Sequence, residues 1–148
     1  SAMPTRITHF LHHSPVTGDQ SVLTSFSTGV VHAHDLQAYL PDFQRLSRNY
    51  RGIVQGITVK LTGSTSPTKV TIRVCADAAG DEVLVPDTEA DLVAGVTTAG
   101  TKSATFRVDL PLWQDQAGPG NGTLYLFAKV DNATGTPKLA ATDIFWQE

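Results

Sequence analysis

Beyond residue 50 the chain alternates apolar and polar positions with a period of two, the pattern of strands that bury one face. Val70, Ile72 and Val74 alternate with Thr71 and Arg73, and Ala104, Phe106, Val108 and Leu110 alternate with Thr105, Arg107 and Asp109. From Ile53 to Leu61 the odd positions are mostly branched and apolar, and the even ones end in Thr58 and Lys60. Leu124, Leu126, Ala128 and Val130 alternate with Tyr125, Phe127 and Lys129, so that strand is apolar on both faces. The run 139–146 is similarly apolar and rich in β-formers. Residues 21–34 predict one long strand, with Gly29 at a bulge or bend.

Turn chemistry separates these runs. The segments 63–67 (Gly-Ser-Thr-Ser-Pro), 118–122 (Gly-Pro-Gly-Asn-Gly) and 132–137 (Asn-Ala-Thr-Gly-Thr-Pro) are loops by composition. Such short gaps join antiparallel neighbours, because parallel strands need crossovers of a dozen or more residues. Helix is scarce. Asp35 can cap a segment in which Leu36, Leu40, Phe43 and Leu46 sit at helical spacing, interrupted by Pro41, which opens a second turn. Residues 87–94 predict one or two further turns capped by Asp87. There is no repeat and no low-complexity segment. The pattern as a whole predicts one all-β domain of about eight antiparallel strands with one or two short inserted helices.

Composition narrows the function classes. A chain of 148 residues can bury roughly 70% of the surface its unfolded form exposes, so neither disulfide nor metal is required. The single Cys75 cannot bridge internally, and it reads as a buried structural thiol. No apolar run approaches membrane-spanning length, and no charged-then-apolar leader opens the chain. Ser1 and Ala2 before Met3 read as a cleavage scar, residues 1–19 as an N-terminal arm, and residues 20–148 as the domain. The net charge is −3, whereas a dedicated nucleic-acid binder carries a basic excess. Either nucleic acid is not bound, or it is bound weakly by each of many copies, or a basic arm is missing. Only 17% of residues are charged. That leaves neutral surface to bury between subunits, or simply reflects the Thr, Ser and Gly content of a sandwich.

No catalytic constellation stands out: there is no Gly-x-Ser-x-Gly, no phosphate-cradling glycine loop and no paired-cysteine or His-Glu-x-x-His spacing. The expectation is a protein that is not an enzyme and has no cofactor or metal. All five histidines, His9, His12, His13, His32 and His34, fall in the first 34 residues. Such a cluster changes charge near pH 6 and could bind phosphate in mild acid; surface histidines with no such role are the plainer reading. Arg45, Arg48 and Arg51 follow at three-residue intervals, either as a phosphate patch or as cations suited to a helix end. The glycosylation-like triplets at Asn121 and Asn132 are treated as coincidence.

The order of features resembles coat proteins of small icosahedral positive-strand RNA plant viruses, the tymovirus-like and bromovirus-like single jelly rolls. The resemblance rests on the aromatic-and-arginine segment 41–53 leading into Gln55-Gly56-Ile57-Thr58-Val59, on the valine-rich run 66–75 behind a proline turn, and on the closing pair 124–130 and 141–146. It implies a jelly-roll β-sandwich, self-assembly into an icosahedral shell, and a place in the virion and in host cytoplasm during assembly. It also implies viral RNA as a partner, contacted weakly per subunit by Arg6, His9, His12 and His13 of the arm and by Arg45 and Arg48, with no membrane role. The alternative is a non-catalytic, carbohydrate-recognition sandwich. There Trp113, Trp146, Tyr39, Tyr50 and Tyr125 would supply a sugar-stacking face and the Asp-rich 76–82 loop would hold calcium.

Overall fold

Alternating β-branched and aromatic residues satisfy their backbone groups by pairing with neighbours, and among the described residues they do so in ten strands and two sheets. The computed structural model describes residues 8–13, 20–26, 32–35, 51–96, 100–113 and 123–147. In chain order the strands are β1 (Thr8–His13), β2 (Gln20–Ser21), β3 (His32–Asp35), β4 (Arg51–Thr62), β5 (Lys69–Cys75), β6 (Val83–Asp91), β7 (Val93–Ala94), β8 (Lys102–Trp113), β9 (Thr123–Val130) and β10 (Lys138–Gln147). One sheet runs β1-β10-β4-β8-β7, with β2 paired to β10; the other runs β3-β9-β5-β6. Every pairing is antiparallel.

Setting the two-residue strands β2 and β7 aside, the chain visits the sheets alternately except at the β5–β6 hairpin. The eight remaining strands, taken in chain order, lie as 1-8-3-6 in one sheet and 2-7-4-5 in the other. Two interlocked Greek keys of this kind are a jelly roll. The sheets face each other across Val54, Ile57, Val59, Leu61, Phe106, Ile144 and Trp146 on one side and Val70, Ile72, Val74, Leu124 and Leu126 on the other, all buried. Each such side chain, taken from water, contributes about 1.5–3 kcal/mol.

Several sequence expectations change. Among the described residues there is no helix. Residues 87–94, expected to turn helically, are the second half of edge strand β6 and the whole of β7, joined through Leu92. Asp87 does not cap a helix. It accepts from Arg73 Nε at 2.6 Å and Nη2 at 3.1 Å, and Lys69 Nζ lies 3.5 Å from Glu89. These cross-strand pairs hold the acidic stretch extended, and charge on an edge discourages pairing with other chains. The long strand expected over 21–34 is instead split between sheets, β2 in one and β3 in the other. Thr8–His13, read from sequence as arm, pair with β10 at the sheet edge. The helix expected over 35–49 lies outside the described residues.

Candidate functional site

Among the described residues, four connections meet at one end of the sandwich: 22–26 after β2, 63–68 between β4 and β5, 92–96 and 100–101 from β6 through β7 to β8, and 131–137 between β9 and β10. They are laced together. Ser64 Oγ donates to Thr134 O at 2.5 Å, Val22 N to Pro137 O at 2.9 Å, Val130 N to Leu23 O at 2.9 Å and Leu92 N to Thr68 O at 2.8 Å. Lys102 Nζ donates to Thr65 O at 2.8 Å and Pro67 O at 2.6 Å, so its charge is spent on loop carbonyls. Gly63 is required where it stands: its φ is +86°, and a Cβ there would lie 2.8 Å from Thr136 O.

Among the described residues of these four connections, Asp131 is the one ionisable side chain. Its carboxylate accepts from Thr68 N at 2.9 Å, Thr68 Oγ1 at 2.5 Å and Lys69 N at 3.1 Å. The Thr68 hydroxyl, ahead of the two backbone donors, holds this carboxyl at about 2, below its ordinary 3.8. The other described residues of these connections are hydroxyl, glycine, proline and apolar, with one amide, Asn132. Leu23 and Val93 are exposed and Val96 is fully so. A cavity of about 630 Å³ opens between Thr62, Ser64, Ser66, Thr101, Gly100 and Gly135.

The opposite end differs. The β5–β6 loop carries Asp77, Asp81 and Glu82, and Asp77 accepts from Glu82 N at 2.8 Å and Asp81 N at 3.2 Å. The Glu82 amide is the largest cause that holds the Asp77 carboxyl below its ordinary value. The carboxylate expected to help hold calcium is thus turned onto its own loop. No group of three or more metal-ligating side chains occurs among the described residues.

The predicted RNA-contacting residues are only partly placed. Arg6, Arg45 and Arg48 lie outside the described residues. His9 and His13 occupy β1 opposite Trp146 and Thr142. His12 Nδ1 lies 2.5 Å from Asp143 Oδ1, so this half-exposed ring is held by a carboxylate of β10. The aromatic sugar face also changes: Trp146 is core, Tyr125 is half-buried on β9, and Tyr39, Tyr50 and the Trp113 side chain are not among the described groups. Cys75 is buried, and burial pushes its thiol up, as expected of a structural residue. A cation–π cluster the sequence did not announce sits on the outer face of the β3-β9-β5-β6 sheet, beside the Arg73–Asp87 pair. There Arg73 and Lys129 lie 4.6 and 4.8 Å from the Phe26 ring centroid. Its members are distant in sequence, so no local motif could have marked it.

Topology and loop chemistry define an all-β jelly-roll domain that has, among the described residues, a neutral, cross-laced end and an acidic β5–β6 loop at the other end. No protein-family model matches the sequence, and no curated protein does. Solved structures similar in overall form include a chain of Desmodium yellow mottle tymovirus, 12% identical with a TM-score of 0.44 over 99% of this chain and 88% of that one. The tobacco streak virus coat protein dimer is 9% identical, with a TM-score of 0.40 over 95% and 85%. CBM35 from Cellvibrio japonicus Abf62 is 12% identical, with a TM-score of 0.40 over 92% of each chain. At such identities these are likenesses of fold, and the functional reading rests on the chain's own residues.

Proposed function

We propose that the chain is a coat-protein subunit that assembles with copies of itself into a closed icosahedral shell around viral RNA. One observation carries this reading: an end where four connections meet whose described residues include a single ionisable side chain, Asp131, with its carboxylate hydrogen-bonded to Thr68 and Lys69, and where Leu23, Val93 and Val96 are left exposed. Interface cores are depleted of charge. Small contacts repeated about rotation axes add up in a closed assembly, so each can be weak. The cross-lacing suits this role, because loops already ordered lose little entropy on association.

RNA contact by Arg6, His9, His12, His13, Arg45 and Arg48 is part of the same proposal, as is a place in the virion and, during assembly, in host cytoplasm. The net charge of −3 makes this contact weak per subunit and dependent on copy number. The test places one carboxylate at either end. Val96→Glu and Thr134→Glu alter exposed positions of the neutral end, and Ala79→Glu alters the acidic end. Scattering-derived mass should show assembly lost in the first two and kept in the third. Equal assembly in all three would remove the neutral end from the account.

A further inference from the structure

Across the outer face of the larger sheet the register sets four residues in a row: Phe10 on β1, Phe145 on β10, Gly56 on β4 and Arg107 on β8. Phe10 is 58% exposed, and its ring centroid lies 5.1 Å from that of Phe145 at 53°. Gly56 contributes no side chain, so the row is notched between the Phe145 ring and Arg107. A Cβ at Gly56 would lie 3.8 Å from Phe145 Cδ2 and 3.3 Å from Phe106 O.

The sheet is irregular at this point on both sides of β4. The β4–β8 register shifts between Val54 and Gly56, and the β4–β10 register shifts between Phe145 and Trp146. Asp109, in the first shift, has φ +48°, a left-handed backbone that aspartate adopts more readily than most non-glycine residues. Bulges of this kind re-aim side chains. Here they leave a cavity of about 490 Å³ lined by Gln55, Gly56, Thr105, Arg107, Asp109 and Phe145, within the range of small-ligand sites. Its polar groups are paired at the rim. Arg107 Nε donates to Asp109 Oδ2 at 3.1 Å, and Gln55 Nε2 donates to Gln147 Oε1 at 3.1 Å.

The chemistry of the rim selects the ligand. Arg107 and Asp109 cancel in net charge, so neither an anion nor a cation is favoured by the local field. Guanidinium, carboxylate, the Gln55 amide and the Thr105 hydroxyl, itself paired with Thr58 Oγ1 at 2.9 Å, together offer both donors and acceptors around an aromatic floor. A saccharide ring presents the complement: a C–H face that packs on an aromatic ring, edged by hydroxyls that donate and accept. We propose that this notch binds a neutral saccharide ring, with Phe145 beneath the ring and Arg107, Asp109 and Gln55 on its hydroxyls. The site lies on a sheet face, separate from the neutral loop end, and stands whether or not the chain assembles.

Saturation-transfer NMR tests this, because it reads the ligand's signals and works on monomer or assembly alike. The full chain is titrated with cellobiose, maltose, lactose and, as an anionic comparison, a sulfated heparin disaccharide. The expected result is saturable transfer to ring C–H protons of at least one neutral sugar. Removing a charged hydrogen-bonding partner should then weaken binding about tenfold or more. Arg107→Ala makes that change at a side chain 85% exposed, so the fold is kept, as a thermal melt will confirm. Gln55→Ala provides a second exposed change and should weaken binding too. No transfer to any neutral sugar, tighter binding of the heparin disaccharide, or transfer undiminished in both variants would overturn the proposal.

Discussion

The described loops at the two ends of the sandwich solve the same problem, closing connections between strands, in opposite ways. At the neutral end the loops satisfy one another. Ser64 reaches Thr134, Asp131 caps Thr68 and Lys69, and Lys102 holds two carbonyls of the 63–68 connection. At the acidic end the 76–82 loop satisfies itself, with Asp77 accepting from Asp81 and Glu82 and Ala76 N donating to Glu82 O at 2.9 Å. Self-contained loops leave their outward carboxylates to water, whereas mutually laced loops leave a surface of hydroxyl and apolar groups. A charged surface resists burial against a copy of itself, and a neutral one does not.

Glycines at matched turns test that contrast most strongly. Gly63→Ala forces a left-handed alanine into the backbone of another connection, 2.8 Å from Thr136 O, and should cost about 2–4 kcal/mol. Gly80→Ala, also at positive φ, meets only the Phe127 ring at 3.1 Å. It should cost about 1–2 kcal/mol. Thermal denaturation of the pair checks the order, and equal costs would mean the lacing at the neutral end is slack.

Asp131→Ala comes next. It removes three hydrogen bonds to a carboxylate, and its solvent exposure reduces the expected loss to about 1 kcal/mol. Because the folded carboxyl titrates at about 2, below its ordinary 3.8, its stabilisation is present above 3.8 and disappears as pH falls through about 2. Wild type and Asp131→Ala should therefore converge in stability as acid is added, which denaturant melts between pH 2 and 6 can follow. Asp77→Ala removes a carboxylate of the same sign of shift from the acidic end and should have a smaller effect. Smallest of all on the isolated subunit are Val96→Glu and Thr134→Glu, within about 0.5 kcal/mol for exposed positions. Their whole consequence should appear in assembly.

Much of the sandwich was legible in the sequence. In β5 the alternation of Val70, Ile72 and Val74 with Thr71 and Arg73 survives intact, because its register with β9 runs unbroken from Val70 to Cys75 even though its register with β6 shifts. In β10 it does not: Leu139 and Ala141 are buried, then Thr142, Ile144 and Trp146, since a register shift after Leu139 changes the phase. Residues 87–94 misled because Asp87, Glu89 and Asp91 are poor strand formers taken singly. Their partners Arg73 and Lys69 belong to a strand 14 or more positions earlier. The neutral end follows the same rule. Each of its loops was recognisable by composition, but only the jelly-roll topology brings them side by side. The notch at Gly56 left one local signal, a glycine within a strand pattern, and its meaning depended on Phe145 and Arg107 arriving from neighbouring strands.

The central claim is that the neutral end packs against copies of itself, and its most direct test is the particle mass of the full chain. Light scattering coupled to size exclusion, with electron microscopy of the peak, is to be run at pH 5 and pH 8, with and without added RNA. Closed particles or rings are expected in at least one of these conditions, abolished by Val96→Glu. A monomer in all four, indistinguishable from the variant, would contradict it.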